Sequence, residues 1–140
     1  MKFLLLILGV IMAMSVKRAG EKNQIRFKEQ ADEDLWLSNQ GPSEVRDWIR
    51  TMNHLSVFHA GRGIVVTSWV RNDDSAHQRA EAVDIRRLSG ANKFDPDPYT
   101  LDEVIAIEAD AAAQGIPIFI INEGKPNEHW HLGRVKYANG

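Results

Sequence analysis

The chain has 140 residues, 44% of them hydrophobic and 26% charged, with a formal net charge of −2 and a pI near 6.2. That length holds one domain core and not two, and the charge balance lacks the basic stripe of a nucleic-acid binder. There is no cysteine, which excludes disulfides, thiolate zinc ligands, a catalytic thiol and a lipid-anchored N-terminal cysteine. A metal site in this chain has to be built from His, Asp and Glu.

Met1 and Lys2 precede an uncharged apolar run over residues 3–16. The run is short of the ~20 residues that span a bilayer and suits the apolar part of a signal peptide, with Ala13 and Ser15 as small residues before a cleavage site. The runner-up is a short uncleaved N-terminal membrane anchor. Residues 17–41 are expected to form a tether or lead-in, because residues 19–34 are polar and rich in charge. The folded domain is then 42–140.

Pro42 and Ser43 open a helix with Val45, Trp48, Ile49 and Met52 on one face, and Glu44, Arg46, Asp47 and Arg50 on the other. Gly61-Arg62-Gly63 ends it. Ile64-Val65-Val66-Thr67-Ser68-Trp69-Val70 is a β-branched strand bounded by glycine and by Asn72-Asp73-Asp74. Ala82-Val83-Asp84-Ile85 is a second, short strand. Residues 88–99 contain Gly90, Pro96 and Pro98 and read as a loop. Thr100 and Glu103 make a capping box for a helix that Gly115 closes. Residues 116–121 form a third strand, and His129-Trp130-His131-Leu132 a fourth. The order predicts an α+β fold, a small mixed sheet with flanking helices.

The chemistry concentrates in two of these segments. Aspartate is depleted in strands, and Asp84 lies between Val83 and Ile85. A carboxylate buried there requires a partner, and a metal is one. On a strand, His129 and His131 share a face, so Asp84 and one of these histidines can meet on one side of the sheet. His77, in the loop leading to Asp84, can complete the set. Two imidazoles and a carboxylate suit a zinc site with an open position for water. Such a site activates water for attack on a carbonyl carbon, with a nearby carboxylate taking the proton. Glu128 is the candidate. Regular alternation turns Glu128 away from His131, so this role requires a turn or bulge near Pro126-Asn127. The bland readings are a paired carboxylate in a strand and an exposed strand with a packed tryptophan. Ser75 reads as a turn or cap residue.

Together these segments resemble the zinc D-alanyl-D-alanine carboxypeptidases and L-alanyl-D-glutamate endopeptidases, which share the Hedgehog/DD-peptidase fold. The family pattern Ser-x-His, two residues, Gly, one, Ala, one, Asp is met by Ser75, His77, Ala82 and Asp84. Glu128, His129 and His131 supply the late Glu-x-x-His and His-x-His variants, and Thr67-Ser68-Trp69-Val70-Arg71 the arginine-bearing strand. The resemblance spans residues 64–132. It implies His77, Asp84 and His131 as ligands of Zn2+, Glu128 as general base, and Arg71 on a substrate carbonyl or the developing oxyanion. His129 and Ser75 would support the ligands. It also implies a peptidoglycan stem peptide as substrate and a place in the cell envelope, periplasm or exterior, for a bacterial or phage-encoded enzyme. Ala80 stands where the family has glycine, so an ordinary backbone or a shifted loop is expected there. A rival function is a catalytically inactive, metal-bearing module of the same fold that binds cell wall or protein.

Overall fold

The computed structural model describes residues 24–70, 79–88 and 98–134. Residues 1–16, Arg71, Ser75, His77 and most of the loop 88–99 lie outside the described residues. In chain order the described elements are β1 (Arg26–Phe27), α1 (Gln30–Leu37), α2 (Ser43–Ala60), β2 (Val65–Ser68), β3 (Val83–Arg86), α3 (Leu101–Ala113), β4 (Ile118–Ile121) and β5 (His129–Leu132). The strands form one open sheet in the order β1-β2-β3-β5-β4. β1 runs parallel to β2 and the other pairings are antiparallel. The fold is α+β, as the element order predicts. Among the described residues no helix is long and apolar enough to cross a membrane.

The helices form where capping and periodicity place them. Thr100 Oγ1 accepts from the Glu103 amide while the Glu103 carboxylate accepts from the Thr100 amide, a complete capping box at the start of α3. Gly61, at φ 70°, closes α2 in the left-handed conformation that only glycine adopts without strain. From α2, Val45, Trp48, Ile49 and Met52 pack with Val104, Ile107 and Ala111 of α3 onto the sheet face carrying Val66, Ile85, Trp130 and Leu132. By the two-residue period of strands, Asp84, Arg86, His129 and His131 occupy the opposite face.

The lead-in expected as a tether is part of the fold from Arg26 onward. Arg26 and Phe27 pair with Val65 and Val66. The Asp32 carboxylate, 1% exposed, accepts from the amides of Trp69 at 3.0 Å and Val70 at 2.9 Å, where β2 ends. Trp36 meets Phe27 and the edge of Trp69. This packing also corrects the placement of Arg46, which is buried instead of lying on a solvated helix face. Its guanidinium stacks 4.3 Å over the Trp36 ring and donates to the carbonyls of Leu35 and Trp36 in the last turn of α1 and of Gln40 just beyond it. Burial, and then the neighbouring Arg50 charge, lower its pKa. Gly41, at φ 90°, lets the chain turn into α2 against Trp69: a Cβ there would come within 2.7 Å of the indole.

Candidate active site

Three neighbouring strands build the site. Asp84 on β3 stands directly across from His131 on β5, and Arg86 across from His129. On the other side Ser68 of β2 faces Asp84. Between Val66 and Ser68 the β2–β3 register slips by one residue, a bulge at Thr67. Strict alternation would put Thr67 and Ser68 on opposite faces. With the bulge both line the cleft that contains Asp84, and the Thr67 hydroxyl donates to the Asp84 carbonyl at 3.3 Å.

Asp84 and His131 are 5% and 2% exposed. His131 Nδ1 lies 2.9 Å from Asp84 Oδ1, and His129 Nε2 lies 3.7 Å from Asp84 Oδ2. His129 Nδ1 donates to the Asn127 carbonyl at 2.7 Å. That bond fixes the tautomer of a neutral His129, with its lone pair on Nε2, toward Asp84. Gly133 leaves room for the His131 ring: a Cβ there would approach Nε2 to 3.1 Å. The cleft measures about 300 Å³ and is lined by Thr67, Ser68, Asp84, Arg86, Glu128, His129 and, from the end of β1, Lys28. Asn127 and Pro126 form a further wall.

Of the sequence candidates the structure brings together Asp84, His129 and His131. Arg71, Ser75 and His77 fall outside the described residues. Among the described residues, no group of three His, Asp or Glu side chains forms a complete ligand set. Asp84 and His131 fit zinc by donor type, and here they are joined by a hydrogen bond, His131 Nδ1 donating to Asp84 Oδ1 at 2.9 Å.

Glu128 is buried, but its carboxylate is engaged elsewhere. Oε1 accepts from the Gly124 amide at 2.7 Å, and Oε2 from the Leu88 amide at 3.0 Å and from Arg87 Nη1 at 3.0 Å. Arg87 also donates to Glu108, whose carboxylate accepts from the Trp130 indole at 2.8 Å. Glu128 thus joins the polar network on the Trp130 side of the sheet, as regular alternation dictates. The bulge lies in β2 and not ahead of β5. Burial acts to lower the Arg87 pKa, but the hydrogen bonds and charges of Glu108 and Glu128 outweigh it and leave the pKa raised.

Ala80 differs from the expectation of an ordinary backbone. It has φ 58°, the left-handed region that favours glycine, and it is 6% exposed. Its carbonyl accepts from the Trp69 indole at 2.8 Å, which holds the strained residue in place on the approach to β3. A non-glycine residue there carries about 1–3 kcal/mol of strain. Ala80→Gly is therefore expected to stabilise the fold by about 0.5–1 kcal/mol, net of the extra chain entropy glycine brings to the unfolded state. Urea denaturation measures it, and a lowered midpoint would show that the Ala80 methyl contributes more through packing than its backbone costs.

No family model, curated protein or solved structure matches this chain.

Proposed function

We propose that the chain is a zinc-dependent peptidase of the Hedgehog/DD-peptidase fold, acting on peptidoglycan stem peptides. The observation that carries this reading is the buried Asp84–His131 pair, joined across β3 and β5, of which Asp84 lines a polar cleft. Asp84 and His131 would hold the zinc, with His77 as third ligand. When bound, zinc supplies a Lewis acid that polarises a carbonyl and makes water a nucleophile at neutral pH. The protein's own residues do the rest. His129, whose Nε2 lies 3.7 Å from Asp84 Oδ2, would accept a proton from water, with the Asn127 carbonyl holding its tautomer. Glu128, the base by resemblance, acts here by holding the 124–128 turn and the entry to β5. Arg71 would bind the substrate carbonyl. The apolar run 3–16 would direct the chain to the cell envelope.

One observation favours a second reading, an inactive metal-bearing module that binds cell wall or protein: the Glu128 carboxylate has all its neighbours inside the protein. Digestion of purified peptidoglycan, with mass analysis of the fragments, separates the two. Peptidase action releases amino acids or shortened stem peptides in a zinc-dependent manner. Binding of the sacculus with no cleaved product would leave the inactive module.

A further inference from the structure

We infer that the open edge of β1, with the pocket beside it, docks an extended segment of another protein that carries a lysine or arginine. The residues of a strand in a parallel ladder alternate between bonding to one neighbour and facing the other side. The Arg26 amide donates to the Ile64 carbonyl at 3.0 Å, and the Lys28 amide to the Val66 carbonyl at 2.9 Å. The amide and carbonyl of Phe27, between them, therefore point away from β2. β1 is the last strand of the sheet on that side, and among the described residues these two groups of Phe27 have no hydrogen-bond partner. Such an edge is a template for one more strand. Residues opposite one another on paired strands share a face, so the added residue beside Phe27 would lie on the side where Phe27 packs against the core. There β1 and α1 enclose a pocket of about 220 Å³ whose lining includes Ile25, Phe27, Trp36, Leu37 and Glu33. That volume is below the ~300–1,000 Å³ of whole small-ligand sites and suits one side chain. Leu37 is 71% exposed at its rim. Glu33 is the only charged residue of the lining, and its half-buried carboxylate has no ion pair among the described residues. Arg46 and Arg50 lie over the Trp36 ring, but the first is bonded to three carbonyls and the second to Asp47, and neither lines the pocket. Arg26 and Lys28 alternate to the opposite face of the sheet. A lysine or arginine meets both features of the pocket, its alkyl stem against the rings and its cation at Glu33.

The test titrates the 15N-labelled full chain, followed by NMR, with acetyl-Thr-Val-Lys-Val-Thr-amide, whose β-branched residues favour the extended state. Two further peptides replace the lysine with norleucine or with glutamate. The lysine peptide is expected to shift the amide resonances of β1 and α1. It should bind about tenfold tighter than the norleucine peptide, the size of one charge-assisted hydrogen bond. Glu33→Gln should erase that preference. Glu33→Lys should reverse it in favour of the glutamate peptide, a rescue that a misfolded chain cannot give. Backbone pairing is read separately by N-methylation, which an added strand tolerates only at alternate residues. Loss of binding on methylating the lysine alone assigns an antiparallel strand, and loss on methylating the valines alone a parallel one. No binding of the lysine peptide, equal binding of the lysine and norleucine peptides, shifts centred on the Asp84 cleft, or the same response to methylation at both sets would each overturn the proposal. The variants leave the Asp84 cleft intact, so these outcomes are independent of the peptidase reading.

Discussion

His131→Ala should abolish both zinc retention and turnover. On the proposed reading the wild-type chain would hold about one zinc, with Asp84, His131 and His77 as ligands. Removing one imidazole leaves too few protein ligands to compete with a chelating buffer. His131 also serves the fold, since Asp84 and His131 form a buried pair. Leaving that carboxylate without its donor costs about 1–3 kcal/mol. The variant is therefore expected to melt lower as well. The metal content has to be read on the folded fraction by elemental analysis after dialysis. His129→Ala is the contrast: zinc retained, the fold kept, and kcat lowered about 10²–10⁴-fold if its Nε2 accepts the proton. Full zinc occupancy in folded His131→Ala would remove this pair from the metal site.

Glu128→Ala should destabilise the fold by about 3–5 kcal/mol, the cost of breaking a buried ion pair by deleting one partner. The substitution takes away the acceptor for the amides of Leu88 and Gly124 and one counter-charge of Arg87, whose side chain is 5% exposed. Glu108 remains as a partner of Arg87, which keeps the loss below that of a fully orphaned charge. Glu128→Gln should lie between the two, because its amide oxygen still accepts from one backbone donor. Urea unfolding of the single variants, of Arg87→Met, and of the double variant Arg87→Met/Glu128→Gln measures the coupling. A double-variant loss smaller than the sum of the singles is expected, since each partner's absence makes the other's removal less harmful. If Glu128→Ala unfolds like the wild type and keeps zinc while losing turnover, the general-base role belongs to Glu128 and not to His129.

These two expectations separate roles that local pattern alone leaves merged. Glu128 and His131 sit in one tetrapeptide, and the resemblance assigns both to one site, Glu128 as general base and His131 as zinc ligand. Strand alternation turns them apart, and the structure gives them different partners: Asp84 for His131, and Arg87 for Glu128, which also borders the cleft.

Most of the element order was legible in the chain because it rests on short-range physics. The Thr100–Glu103 capping box, the Gly61 stop, the β-branched run of β2 and the alternation of β5 depend on neighbours within a few residues. Trp130, which alternates with the two histidines, is fully buried for the same reason. The pairing of Asp84 with a histidine from β5 was also within reach, because both lie on short strands with defined faces. What the tertiary structure alone decided are the features set by distant partners. β1 has only two residues, and the polar composition of α1 gives little helical periodicity. Both are held by contacts far along the chain, Arg26 with Val65 and Asp32 with the amides after Ser68. Arg46 looked solvated because the helix that buries it was not visible. Ala80 adopts a glycine-like φ because a tryptophan eleven positions away holds its carbonyl. The bulge at Thr67, which aims two hydroxyl residues at one cleft, arises from strand register, and register is set between strands and not within one.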